Sequence, residues 1–512
     1  MRMRVETGSP PTPQDPAIAI TARGSTQAVF TSTVQGVFWT YLSFATSKLL
    51  VFAATVILAR LLAPAQFGQV AFALLVITYL ETVGNLGFSA ALIYEQDRAD
   101  QAADIAFLIS LLMGSLWCGL AIASAPWVSA FIHDPAVTPV LRAMAAVFVI
   151  KAAASTHEAL LRRELAFKRR LIPDVAEALV KGFSSISLAL LGLGVWSLVW
   201  GQLLGAAAFT LSLWMLIPWR PRWHWASEVA RRMLRYGSQI VSVNVIVALL
   251  HHVDYLVVGR LLGSAALGFY SLAYRIPEMV IIMMIWVMGH VTFPAYARLQ
   301  QDLKALQRAF LGSLRYLSLV TVPAGLGLAL LGMPIIVTFY GNAWRPSIPV
   351  LQALALAAML RSLSSHAGNI FKAIGRPNIL TKVELASAVV LVPALIIGAR
   401  WGIAGVAIAQ ALVMGASSLV SLLIAGRVLS IPASAMLAQL KPALVGTVAM
   451  SVGVQLLRPL LSVWAHGLTL LVSVAAGAAI YALTTWRVSP ETMRGVRASL
   501  ASCFGRAPLQ TY

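Results

Sequence analysis

Fourteen long apolar runs constrain the fold of this 512-residue chain more than any other feature. Each run holds about 20 residues, the length at which a helix crosses a bilayer. Because a backbone in lipid must satisfy its hydrogen bonds internally, such runs indicate spanning helices. We therefore predict an all-α polytopic membrane protein. The runs lie near 34–58, 67–93, 105–125, 137–155, 173–192, 195–217, 236–259, 265–293, 312–331, 347–367, 380–399, 402–426, 442–460 and 465–485.

A stretch of seventeen residues, Ile57–Ala73, returns 200 positions later as Val257–Ala273. The identical pairs are Arg60/Arg260, Leu61/Leu261, Leu62/Leu262, Ala65/Ala265, Gly68/Gly268 and Ala73/Ala273. A weaker match at an offset of 208 pairs Gly194/Gly402, Gln202/Gln410 and Leu204/Leu412. Chance similarity of apolar hairpins is the alternative, but the arginine, the glycine and their spacing recur together. Since an even number of helices separates the copies, the repeat is parallel. We predict two six-helix lobes related by a pseudo-two-fold axis, followed by two further helices.

The repeat divides the chain into six segments. They are a tail (1–33), a first lobe (34–217), a linker (218–235), a second lobe (236–427), two C-terminal helices (428–486) and a second tail (487–512). Lys and Arg concentrate in the even-numbered connections, for example at 162–170 and 220–235. Cytoplasmic loops carry such an excess, so these connections and both termini are predicted to be cytoplasmic. The net charge of +20 then indicates contact with anionic membrane lipids rather than nucleic acid.

Ionisable residues inside the apolar runs are the candidate functional groups, because charge at membrane depth is costly and usually faces a cavity or a partner. The candidates are Lys48, Glu81, Glu177, Lys181, His251, Asp254, Arg275, Glu278, Arg361 and Glu384. Lys48 has no partner three or four residues away on its own helix, which leaves two possibilities: a contact with Glu81 or an open cationic site. Other candidates are close in sequence, so they can pair locally.

Local pairs are predicted at three places. Glu177 and Lys181 are spaced i, i+4; His251 and Asp254 share one helix face; and Arg275 and Glu278 flank Pro277. The proline is expected to kink its helix because it lacks a backbone donor. Since charges come from helices of both lobes, the sequence predicts a polar route through the bundle.

No pattern typical of catalysis or cofactor binding is present in the sequence. It has no GxxxxGK[ST] phosphate loop. The two cysteines, Cys118 and Cys503, support neither a disulfide framework nor a metal site. His133 and Asp134 form an isolated pair, a weak indication of a metal. We therefore expect a protein that is not an enzyme and has no cofactor and no metal.

Five segments, in this order, resemble the polysaccharide-transport flippases of the multidrug/oligosaccharidyl-lipid/polysaccharide exporter superfamily. They are ARLLAPAQFGQVA (59–71), LRRELAFKRR (161–170), GLGVWSLVWGQ (192–202), VDYLVVGRLLGSAALGFYSLAYRI (253–276) and GRPN (375–378). The resemblance implies a V-shaped pair of lobes with helices 1 and 7 lining the cleft. It also implies transport of undecaprenyl-diphosphate-linked oligosaccharide to the periplasmic leaflet of the bacterial inner membrane. Cationic cleft residues of relatives meet the diphosphate or acidic sugars, a role that falls here on Lys48, with Lys181, Arg275 or Arg361.

The resemblance also implies partners: the lipid-linked oligosaccharide itself, membrane lipids, and the polymerase and export machinery of a polysaccharide pathway. Two other functions stay open at this point. A drug or cation antiporter of the same superfamily would need a carboxylate-rich ion site, whereas the carboxylates here are few and mostly have a nearby base. A membrane glycan polymerase or ligase would need a large outward loop, and no predicted outward connection exceeds roughly 20 residues.

Overall fold

The computed structural model describes residues 45–84, 99–163, 167–222, 252–461 and 466–491, and every regular element there is a helix. The first half contains α1 (described over 45–61), α2 (Pro64–Gly84), α3 (Ala99–Ile132), α4 (Val137–Met144), α5 (Ala146–Arg163), α6 (Phe167–Leu190) and α7 (Val195–Leu216). The second half contains α8 (Val253–Pro277), a π-helical turn (Glu278–Ile282), α9 (Met283–Arg298), α10 (Leu303–Leu330), α11 (Gly332–Phe339), α12 (Ser347–Ala373), α13 (Pro377–Gly398) and α14 (Gly402–Val428). Two helices follow, α15 (Ala433–Leu461) and α16 (His466–Val488).

Ten segments of the described residues are long and apolar enough to cross a membrane, judged by length and composition. One of them, Pro377–Val428, covers two predicted runs, 380–399 and 402–426, so the ten segments account for eleven predicted crossings. Three predicted crossings are not among them. The runs 34–58 and 236–259 lie partly or mostly outside the described residues, and 173–192 falls on α6, whose apolar character is diluted by Asp174, Glu177 and Lys181. The all-helical, polytopic prediction is confirmed.

The two copies of the repeat occupy equivalent junctions between helices. In the first copy, α1 ends at residue 61 and α2 begins at Pro64. In the second, α8 breaks at Gly263, which has a φ of 85° and ψ of 177°. A positive φ suits glycine because it has no Cβ. The sequence predicted that the helix before this break ends at residue 259. The helix continues through Arg260 and the two leucines after it, up to the break at Gly263.

The two junctions meet each other through their glycines. A Cβ added to Gly68 would overlap the backbone carbonyl oxygen of Ser264, and one added to Gly268 would overlap that of Pro64. Pro64 and Ser264 are themselves separated by the repeat distance of 200 residues, so the contact is reciprocal. Both junctions therefore lie at one end of the bundle, as the parallel repeat predicts.

An arginine at each helix junction also binds backbone carbonyls of the other half. Arg60 donates through Nη2 to the Thr338 carbonyl and through Nε to the Phe339 carbonyl (3.2 Å). Arg260 donates through Nη1 to the Phe131 carbonyl, with the His133 ring nitrogens 3.1 Å away. We call this arrangement the clasp: Arg60 and Arg260 with the corners 131–134 and 338–344. The end of the bundle where it lies is the clasp end.

The two last helices flank the second half. α15 packs against α10 and α16, and α16 also contacts α11. The Tyr481 hydroxyl donates to the Leu319 carbonyl of α10 (2.6 Å), which ties α16 to the same helix. This placement fits helices that have no counterpart in the repeat.

Candidate functional site

Six charged residues from six different elements stand at the same number of residues from the clasp end. Each is thirteen or fourteen residues from the position where its run of helix starts or stops at that end: 61, 137 (the start of α4, which leads into α5), 190, 264 (directly after the break in α8), 347 and 398. At a rise of 1.5 Å per residue this depth is about 20 Å. We call this set the charged belt: Lys48, Lys151, Glu177, Glu278, Arg361 and Glu384. A belt at one depth indicates a common polar cavity rather than unrelated buried charges.

Lys48 joins the two halves across the belt. Its Nζ lies 3.8 Å from Glu278 Oε1, and the two side chains are 43% and 44% exposed. A pair this long and this exposed contributes little stability, on the order of 0–1 kcal/mol. Both groups are therefore accessible to a ligand.

Glu81 has a different partner from the one considered in the sequence. Its Oε1 lies 2.8 Å from Lys151 Nζ on α5. The sequence reasoning missed Lys151, although it lies inside the apolar run 137–155 and so met the same criterion as the other candidates. Its side chain is 44% exposed, so the pair faces accessible space.

Lys181 lies closer to the clasp and is held against α7. Its Nζ donates to Oε1 of Gln202, the residue whose repeat partner is Gln410. Two glycines of α7 permit this close approach: a Cβ on Gly205 would lie 2.8 Å from Lys181 Cβ, and one on Gly201 would overlap the Ser185 hydroxyl. The charges of Arg275, Glu177 and the belt lysines all act on Lys181, so it belongs to the same electrostatic cluster.

Arg275 is a second link between the halves. Its Nη1 donates to Thr55 Oγ1 on α1 (2.9 Å), and the Thr55 hydroxyl donates to the Val51 carbonyl (2.7 Å). Directly after Pro277 the helix widens into the π-helical turn that begins with Glu278. Such turns occur frequently at functional sites. The predicted irregularity at Pro277 thus lies where Glu278 reaches Lys48.

The second half contains two adjoining recesses beside the belt. The first recess, which is open to solvent, is lined by residues that include Asp254, Tyr274, Arg361, Glu384 and Gln410. The second is lined by Glu278 and again by Tyr274, Arg361 and Gln410. Arg361 therefore borders both recesses and connects them to the belt.

Asp254 is the buried carboxylate of the first recess, with 2% of its surface exposed. The Tyr270 hydroxyl lies 2.9 Å from its Oδ2 and 2.7 Å from Gln410 Oε1. Within the described residues Oδ1 has no hydrogen-bond partner. The predicted pairing with His251 lies outside the described residues. No group of three metal-ligating side chains is found in the described part of the chain.

The cations of the site suit an anionic ligand. Lys48, Lys151, Lys181, Arg275 and Arg361 come from five helices, and phosphate and carboxylate groups are the usual ligands of such clusters. Glu81 lies against Lys151, Glu278 lies near Lys48, and these carboxylates lower the net charge of the cavity. The arrangement can therefore bind a polar, anionic group within a membrane-spanning bundle.

Spanning helices in two equivalent halves, with charged residues where the halves meet, define the class of fold. The solved structure "Lipid II flippase MurJ, inward closed conformation" has this fold. It matches with a TM-score of 0.71 at 15% sequence identity, over 89% of this chain and 99% of that one. This likeness confirms the predicted fold class.

The family follows from the sequence profile of polysaccharide biosynthesis proteins, which matches residues 57–349. The match covers more than half of the chain, and the chain belongs to this family. The lipopolysaccharide biosynthesis protein WzxC of Escherichia coli K12 is 24% identical over 359 residues, 69% of this chain and 72% of WzxC. The succinoglycan biosynthesis transport protein ExoT of Rhizobium meliloti is 27% identical over 366 residues, 70% of this chain and 73% of ExoT.

Proposed function

We propose that this protein is a flippase that moves undecaprenyl-diphosphate-linked oligosaccharide units across the bacterial inner membrane, for exopolysaccharide or lipopolysaccharide synthesis. The observation that carries the proposal is the charged belt, whose three cations, with Lys181 and Arg275 beside them, are available to a ligand inside an apolar bundle. The names of ExoT, WzxC and MurJ agree with it. The partners are membrane lipids and the polymerase and export machinery that use the product.

The belt and the cations beside it supply polar contacts that replace the water molecules lost by the substrate when it enters the membrane. A diphosphate and sugars are too polar for hydrocarbon, so charged and hydrogen-bonding groups must replace their hydration. Lys48, Lys151, Lys181, Arg275 and Arg361 bind the anionic groups, while Glu81, Glu177, Glu278 and Glu384 orient those cations in the empty cleft. The two halves rock about the site, which gives alternating access.

A cation antiporter is the second candidate, since Asp254 and Glu384 line one recess. Arg361 lines the same recess and supplies a competing positive charge, so the site is not the carboxylate-rich site that this function needs. Extrusion of a cationic dye by cells that express the protein separates the two functions. Dye extrusion at the rate of an empty-vector control is the expected result.

Complementation tests the function directly. Expressed in strains that lack WzxC or ExoT, the protein is expected to restore polymer and to remove the lipid-linked intermediate that accumulates at the cytoplasmic face. Membrane fractions confirm that the protein is present. Persistence of the intermediate in each strain, with the protein at normal membrane levels, contradicts the proposal.

The orientation follows from the basic connections, which lie at the end opposite the clasp. We propose that both termini are cytoplasmic and that the lobes span 34–217 and 236–427. Reporter fusions after Arg170 and Arg235 are expected to be active only in the cytoplasm, and a fusion at Asp134 only in the periplasm. A periplasmic reading after Arg235 would overturn the orientation and the helix count together.

A further inference from the structure

The structure is closed at the clasp end and accessible at the charged belt. Trp344 at the clasp is fully buried, and its ring packs edge-on against Phe67 of the first half (5.3 Å) and Phe269 of the second (5.6 Å). The belt side chains Lys48 and Glu278, about 20 Å deeper, are more than 40% exposed. The clasp end is therefore tightly packed, whereas the belt keeps exposed charged side chains.

The contacts that close the clasp end are reciprocal: a corner of each half binds the helix junction of the other half. Trp344 Nε1 donates to the Ala59 carbonyl (2.7 Å), beside Arg60, which binds carbonyls of the same corner. In the other direction, the Ser264 hydroxyl donates to Asp134 Oδ2 (2.5 Å), beside the contacts of Arg260. Each corner therefore grips the helix junction of the opposite half.

The hydrogen bonds of Arg60 and Arg260 are the contacts at the clasp end that can break and form again. Arg60 is exposed and Arg260 is half-buried, and both bind backbone carbonyls at helix ends, contacts that water can replace. The Arg260 guanidinium also lies over the Phe131 ring at 5.0 Å.

We propose that the clasp is the latch that closes this end of the cleft, and that Arg60 and Arg260 together set how often it opens. The latch is a property of the two halves and does not depend on which substrate the cleft takes. Its test therefore uses no substrate, and its failure is distinguishable from failure of the proposed flippase function.

Thiol labelling in membrane vesicles measures the opening. The reporter is Ser184→Cys, three residues from Lys181 on α6 and closer to the clasp end, in a full-length chain carrying Cys118→Ala and Cys503→Ala. A membrane-impermeant maleimide is added from each side of the membrane. With the double change Arg60→Ala, Arg260→Ala, labelling from the clasp side is expected to be at least about tenfold faster, converting to about 1.4 kcal/mol.

Two further variants keep the test decisive. The double change to lysine preserves charge but not the forked geometry, so an intermediate rate is expected, and it serves if the alanine variant fails to fold. Arg400→Ala removes an exposed arginine of the same end outside the clasp and is expected to leave the rate unchanged. A clasp-side rate equal to that of Arg400→Ala, or an equal rise from both sides, overturns the proposal.

Discussion

Lys48→Ala is expected to slow export of the lipid-linked glycan at least about tenfold while the protein stays folded in the membrane. A charge-assisted hydrogen bond contributes about 1.5–3 kcal/mol, and its loss corresponds to roughly ten- to 150-fold. Lys48→Arg keeps the charge but changes its shape, so partial activity is expected. Accumulation of the lipid-linked intermediate, measured against membrane protein level, gives the rate. Lys304→Ala, an exposed lysine far from the belt, is the control.

The partner found for Lys48 defines the decisive double variant. If Lys48 served only to neutralise Glu278, then Lys48→Ala and Glu278→Ala would each harm the protein. Their combination would restore export, because no unpaired charge remains. We expect the double variant to stay as slow as Lys48→Ala, since the ammonium that meets the substrate is still missing. Recovery of export in the double variant contradicts a substrate role.

Among glycine-to-alanine changes at the two junctions, Gly68→Ala is expected to cause the largest loss of stability. The new Cβ would overlap the Ser264 carbonyl oxygen, which is backbone and cannot rotate away. Overpacking of this kind typically costs 1–3 kcal/mol and occasionally more. Gly268→Ala is expected to behave alike, because its Cβ would overlap the Pro64 carbonyl oxygen. Thermal unfolding of the purified protein measures both.

The control for this prediction is Gly119→Ala on α3. A Cβ there meets nothing within 4 Å, and alanine is the better helix former by about 1 kcal/mol. We expect an unchanged or slightly higher melting temperature for Gly119→Ala. An unchanged melting temperature for both Gly68→Ala and Gly268→Ala would show that the crossing is looser than the structure indicates.

The helices and their repeat were predictable because both depend on local sequence. Apolar runs of spanning length predict α2, α3 and α12 without tertiary information, and the offset of 200 residues identified Gly68 and Gly268 as equivalent. It did not predict that the two glycines touch each other. A symmetry relation names equivalent residues but leaves the distance between the halves open.

The partners within the site were less predictable for the same reason. Lys48 and Glu278 are 230 positions apart, and helix periodicity reports only on neighbours three or four residues away. The weak His133–Asp134 pair has a structural explanation that no motif suggests. Asp134 receives the hydroxyl of Ser264, and His133 lies against Arg260 of the other half. Both contacts require knowledge of how the halves pack.

The reciprocal contact between the two helix junctions, with the clasp around it, has the form of an isologous interface, in which one patch of a subunit meets the same patch of its copy. Pro64 faces Gly268 while Ser264 faces Gly68, as residue i meets j and j meets i across the two-fold axis of a homodimer. Within one chain the two sides can diverge, and they have: Trp344 fills one corner and Asp134 the other. A half-length chain would keep a gripping corner and a junction, but each would lack the surface it binds. The halves are therefore better regarded as two fused subunits than as two independent domains.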